Sequence, residues 1–220
     1  MTPQAPADPS PGWIAPDVAE EFPQLRLWGL ALAARSTRSP PEVRERLRDL
    51  SDRFRGHQAV AMRRQPVPWA YRVFFRHIGL DPDADRTPVE ALALDRLLKG
   101  GFRSRSLLDD ALTIAVMETG VPIWALDADR IEGDLGIRAA AAGESLGRGE
   151  GAPPLPAGRL VVSDSAGPVA VLFGDPAPGV GVTPATTRMA LLSVQVAGVP
   201  SIHVEEGLWT VADILGEPAS

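Results

Sequence analysis

The sequence predicts an α+β fold: a single domain with helices packed on a mixed or antiparallel sheet. Helical signals crowd the chain before residue 120. After it, short apolar runs alternate with Gly and Pro. Runs of helices followed by runs of strands, without regular alternation, give segregated layers. The 220 residues are 45% hydrophobic and 23% charged, which suits a folded chain with a sizeable core and not a disordered acidic one.

Residues 1–20 read as a disordered N-terminal arm, because five Pro fall in the first 16 positions. The folded domain is expected over 21–215. Leu25 to Ala33 alternates loosely and predicts a strand. Ser39-Pro-Pro-Glu42 opens a helix that reaches Arg55, with Val43, Leu47 and Leu50 as its apolar stripe. Pro66 and Pro68 introduce a helix over Trp69–Ile78. Trp69, Val73 and His77 share one of its faces, Tyr71, Phe74 and Ile78 an adjoining one, and Gly79 is the stop. Thr87-Pro-Val-Glu90 has the form of a helix start, with Lys99 near the end and Gly100-Gly101 beyond it. Ser104 or Ser106 begins the next helix, Leu107 to Thr119, which Gly120 ends. Strands are expected at Leu135–Ala141, Leu160–Ser163, Val169–Phe173 and Met189–Val196, a Gly- and Pro-rich loop over Gly143–Gly158, and a closing helix over Glu205–Leu215.

Several chemistries are excluded. Without Cys there is no disulfide framework, thiolate zinc site or Cys nucleophile. His57, His77 and His203 have no metal-site spacing, and no Gly-x-Ser-x-Gly elbow occurs. Gly147-Arg-Gly-Glu-Gly151 lacks the Lys-Ser/Thr of a phosphate loop, and Asp127-x-Asp129 does not continue as a calcium loop. Met1–Pro16 has no basic export segment. The longest apolar run, Leu27–Ala34, falls short of the ~20 residues of a membrane span, so a cytoplasmic location is expected.

The net charge of −6 conceals a split. Residues 26–105 carry 16 Arg and Lys99 against nine acids, whereas residues 106–220 carry five Arg against 15 acids. A block that basic suits a polyanionic partner. The excess of Arg over Lys, with no Asn anywhere, follows from GC-rich coding and says nothing of where the Arg cluster.

One ordered series of residues carries a resemblance. Arg103, Asp110, Glu118, Gly120, Pro122, Ala125 and Asp127 lie in the stretch Arg103–Asp127, followed by Arg138 with Gly143-Glu144, by Gly158–Asp164, and by Thr183 and Thr187. This series resembles the B3/B4 domain of the bacterial phenylalanyl-tRNA synthetase beta subunit. Upstream, Trp69, Arg72, Arg86, Glu90-Ala-Leu92 and Lys99-Gly100 are similar to free-standing members of that domain family. The resemblance implies a B3/B4-like fold that binds the acceptor end of tRNA, needs no cofactor or metal, and hydrolyses a wrongly formed aminoacyl ester in trans. It does not imply a tRNA ligase. A non-catalytic module for tRNA or an amino-acid-like ligand is the alternative.

On this basis Thr183 and Thr187 are the candidate catalytic residues. Trp124, Arg103, Asp110, Asp127, Arg138 and Glu144 are the candidate substrate-binding residues, and Arg63, Arg64, Arg72, Arg86 and Lys99 the candidate tRNA contacts. Each has a structural alternative: Trp124 as a core aromatic, Asp127 and Arg138 as buried pairing groups, Asp110 as an orienter of backbone, the two Thr as ordinary strand residues. The Arg of helix 42–55 are either a solvated face or phosphate ligands. Trp124 stands where the family has His, and the family's Asn positions are Ser106, Leu107 and Thr113. A Glu that reads a phenol hydroxyl in the family has no equivalent near Gly179. A site without those groups does not select tyrosine, but Trp124 offers a surface on which a terminal adenosine can stack.

Overall fold

A computed structural model describes residues 8–54, 56–149 and 151–216. The fold is α+β, and its elements divide into two compact units, residues 1–33 with 124–195 and residues 34–123 with 196–220.

The first unit holds the strands. β1 (Ser10–Pro11), β3 (Arg26–Ala33), β8 (Arg188–Gln195) and β4 (Ile123–Asp127) form one sheet in the order β1-β3-β8-β4. β3 and β8 run antiparallel in an unbroken register from Arg26 opposite Gln195 to Ala33 opposite Arg188. Leu27, Leu30, Met189, Leu191 and Val194 are buried along this pair. β2 (Trp13–Ile14), β5 (Gly136–Ala139), β6 (Leu160–Asp164) and β7 (Gly167–Val171) form a second sheet, in which β2 lies parallel to β5 and the remaining pairs are antiparallel. The sequence led to one sheet, and the residues build two. A short α1 (Pro16–Glu21), opened by Pro16 and anchored by the buried Val18, follows β2.

The arm expected to be disordered is therefore folded where it is described. Gly12 N–H donates to the Leu27 carbonyl (2.8 Å), Trp13 N–H to Leu135 (3.2 Å) and Ala15 N–H to Ile137 (2.9 Å). Pro at 9, 11 and 16 removes donors, but the three non-proline amides find partners more than a dozen residues away, which local composition does not reveal. Residues 1–7 of that arm, and Arg55, lie outside the described residues.

The second unit is helical: α2 (Pro41–Arg53), α3 (Gly56–Met62), α4 (Pro66–His77), α5 (Pro88–Lys99), α6 (Leu107–Thr119) and α7 (Ser201–Gly216). Pro opens α2, α4 and α5, where its missing N–H costs nothing. Ser106 caps α6 by accepting the Asp109 N–H (3.1 Å), and Gly120 ends it at φ 74°, a conformation that favours Gly. Val43, Leu47 and Leu50 of α2 are buried as the stripe predicts. In α4 the buried set is Tyr71, Phe74 and Phe75 with Val67, Pro68, Ala70 and Arg72, and Trp69 is left 48% exposed. No helix among the described residues is long and apolar enough to cross a membrane.

Candidate functional site

In the first unit, β4 carries Trp124 and Asp127. The loop before β8 carries Thr183, Thr186 and Thr187. The buried Asp127 carboxylate accepts the Thr186 hydroxyl at 2.6 Å and the Asp129 N–H at 3.0 Å. Thr186 Oγ1 in turn accepts the Thr183 N–H (3.0 Å) and lies 3.3 Å from Thr183 Oγ1. A carboxylate only accepts, so the Thr186 proton points to Asp127, and in the Thr183–Thr186 contact Thr183 is the donor. The result is a directed chain from the exposed Thr183 hydroxyl to a buried acid. Arg188 extends it by donating to Asp129 (2.9 Å). Thr187 is half-buried beside this chain. The residue that joins the strand carboxylate to the loop is thus Thr186, which the sequence did not single out. Three Thr within five positions look alike until the loop's path decides which faces inward.

Trp124 is half-buried and packs edge-on to Phe173, with ring centroids 6.5 Å apart. Its indole Nε1 is buried without a hydrogen-bond partner among the described residues. Such a donor costs about 1–3 kcal/mol until something accepts from it. Phe173 has φ 61°, a strained backbone for a side chain of that size.

Arg138 on β5 does not meet Asp127. Its guanidinium grips both carboxylate oxygens of Glu144, and its Nε donates to Ser163 Oγ at 3.2 Å. Glu144 also accepts the Ala141 N–H (2.8 Å). The hydrogen bond from Arg138 holds the Glu144 carboxyl below the usual carboxylate range. These two candidates therefore form a bidentate pair that staples the loop after β5.

In the second unit, Arg103 and Asp110 line one cavity of about 470 Å³ between α5 and α6. Ala91, Leu92, Leu112 and Val116 also line it. Arg103 is exposed. Asp110 is 1% exposed and accepts from Ser39 Oγ (2.6 Å), Ser104 Oγ (2.5 Å) and the Arg105 N–H (3.1 Å). It ties the segments before α2 and α6 together, which is the orienting role.

The candidate tRNA contacts fare unequally. Arg72 is a correction: it is buried, and donates to Glu90 (2.7 Å), Asp83 (2.7 Å) and the Pro82 carbonyl (3.3 Å). The buried Glu90 also accepts the Thr87 hydroxyl (3.1 Å), so Thr87 donates at the start of α5 instead of capping. The Arg72 hydrogen bond lowers the Asp83 pKa. Arg63 pairs with Glu90 at 3.4 Å and Asp83 at 3.7 Å, and Lys99 pairs with Asp95 at 2.5 Å. Arg64 and Arg86 are exposed, and neither is in an ion pair among the described residues. The basic block is also diluted by folding: the second unit, residues 34–123 with 196–220, holds 16 bases and 16 acids.

A stretch of 92 residues, 41% of this chain, is 41% identical to the phenylalanine–tRNA ligase beta subunit of Streptomyces avermitilis. A stretch of 94 residues is 37% identical to the same subunit of Xanthomonas oryzae pv. oryzae, and one of 87 residues is 36% identical to that of Xylella fastidiosa. The matches cover 11%, 12% and 10% of those relatives, so the chain corresponds to a small part of their length. The B3/4 domain family matches residues 70–201, more than half of the chain, and with β4, the Thr-bearing loop, α5, α6 and most of α4 inside that span, the chain belongs to the B3/4 domain family.

Proposed function

We propose that this protein binds the acceptor end of tRNA and hydrolyses the ester of a mischarged aminoacyl-tRNA in trans. The observation that carries this reading is the directed chain Thr183–Thr186–Asp127, which ends on the strand that also bears Trp124. The Thr183 proton is committed inward and its oxygen accepts the Ala185 N–H at 3.3 Å, which leaves one lone pair to accept from an attacking water or a ribose hydroxyl and hold it in place. Thr187 follows Thr186 in the same loop and is half-buried. No strong base is in this chain. The chemistry asked of the protein is therefore orientation, with the substrate's own 2′-hydroxyl assisting at the ester. The half-buried Trp124 ring supplies a surface on which the terminal adenosine can stack.

A second reading is a non-catalytic module that holds tRNA or an amino-acid-like ligand. It is favoured by one observation. Asp110, Asp127, Arg138 and Glu144, four of the six candidate substrate-binding residues, spend their hydrogen bonds within the protein.

The two separate in one experiment. A panel of mischarged tRNAs is incubated with stoichiometric protein, and ester loss is followed beside binding at low salt. The enzyme reading expects at least one tRNA to be deacylated, with the rate falling about 10- to 100-fold in Thr186→Val and Thr187→Ala while the fold is retained. Binding without hydrolysis across the whole panel selects the module. Absence of binding at low salt overturns both.

A further inference from the structure

A cleft of about 660 Å³ opens in the first unit against β1, β3 and β8, within the size range of small-ligand sites. We propose that it binds a guanidinium or ammonium group carried on an aliphatic stem.

Trp13 forms one wall. It is 38% exposed, yet its ring is held. The indole Nε1 donates to the Asp134 carbonyl at 3.0 Å, and the Trp13 N–H to Leu135 at 3.2 Å. The ring lies so close over Gly136 that a Cβ there would fall 2.0 Å from it. Only glycine allows that approach, and the outcome is a large aromatic face kept in one orientation at the cleft. An exposed Trp held on three sides is preorganised for a partner, since no rotamer freedom is left to lose on binding.

The charge of the cleft selects the partner. Asp8 and Asp134 are the only charged side chains among its described lining residues, both are exposed, and neither is in an ion pair among the described residues. The unit around them carries 12 acids against six Arg, so its field draws cations and repels phosphates and carboxylates. The floor is made of small or apolar residues, Gly29, Ala31, Ala190 and Leu192, which leave room for a methylene stem. An aromatic face beside two carboxylates over an apolar floor is the environment that a cation on a short hydrocarbon chain occupies best.

The test is titration calorimetry of the full chain at low ionic strength. Agmatine stands for a free cationic amine, N-acetyl-arginine methylamide for an Arg side chain of a partner protein, and butylurea is the uncharged control. At least one cation is expected to bind, with butylurea about tenfold weaker or more. Binding of agmatine alone points to a free amine, and binding of the arginine derivative alone to a protein partner. Asp8→Asn with Asp134→Asn, and separately Trp13→Leu, are each expected to weaken the bound cation about tenfold. The fold should survive the Asp134 change, because Trp13 uses the backbone carbonyl of that residue and not its carboxylate. No heat from either cation at millimolar concentration, equal binding of butylurea, or a double Asp variant that binds as tightly as the parent overturns the proposal.

Discussion

Arg72 is 4% exposed and divides its donors among Glu90, Asp83 and the Pro82 carbonyl, so a phosphate would reach it only by breaking buried pairs. Removing one partner of a buried pair leaves the other charge uncompensated. Arg72→Met should therefore cost about 3 kcal/mol of stability in urea denaturation, because Glu90 stays buried with only the more exposed Arg63, 3.4 Å away, as its counter-ion. The variant's folded fraction should keep the tRNA affinity of the parent. Arg64→Gln and Arg86→Gln should do the reverse: stability within about 0.5 kcal/mol and weaker tRNA binding. A loss of tRNA affinity in Arg72→Met, at equal folded protein, would return Arg72 to the interface. Sequence patterning names Arg72 but not its job. Spacing shows that Arg72 and Glu90 lie on successive helices, and only packing shows that they meet inside.

At the scale of elements, Asp164 shows how loops are tied to the second sheet. It ends β6, and its carboxylate accepts the N–H groups of Glu132 (2.8 Å), Ala166 (2.9 Å) and Gly167 (3.0 Å) and the Arg148 guanidinium (2.7 Å). Burial alone would raise its pKa. The backbone donors and Arg148 outweigh burial and leave it below the usual value. Glu144 is lowered as well, by Arg138. A carboxyl with a depressed folded pKa adds stability that is complete above its unfolded pKa and disappears as pH falls through the folded value. Stability should thus be flat near neutrality and fall on acidification below about pH 4. Asp164→Asn with Glu144→Gln should be less stable at pH 7 and show a shallower acid slope, read from denaturation midpoints across pH. An unchanged slope would mean that these two ties do not set the acid response. These ties also mark where sequence reading stops. α6 was legible in its span and its Gly stop, which are local signals, while its cap lay between Ser104 and Ser106 until the structure settled on Ser106. β1 and β2 were not: strands of two residues have no periodicity, and their partners lie at 28–29 and 136–137. The division into two sheets was hidden for the same reason, because register is a long-range property.

For the whole molecule, the charge map changes meaning on folding. Along the chain, residues 26–105 form a basic block, and such a block predicts a steep dependence of tRNA binding on salt. Residues 106–123 and 196–220, which belong to the same unit, add seven acids and balance it at 16 of each sign. Arg46 is held by Glu118 at 2.6 Å, Arg63 by Asp83 and Glu90, and Lys99 by Asp95, while Arg72 is buried. Of the candidate tRNA contacts, Arg64 and Arg86 remain exposed and outside any ion pair among the described residues, and so does Arg103, a candidate substrate-binding residue of the same unit that can add a third phosphate contact. Each phosphate neutralised contributes a slope of about 0.7 to 0.9 to the fall of log K with log salt. Three contacts give a slope of about −2 to −3, whereas the 17 bases of the linear block would give one several times steeper. Filter-binding or anisotropy titrations between about 50 and 200 mM salt decide between them. Replacing Arg64, Arg86 and Arg103 together by Gln should flatten the slope to near zero. A slope that stays steep in the triple variant would move the tRNA contact to other Arg of the helical unit.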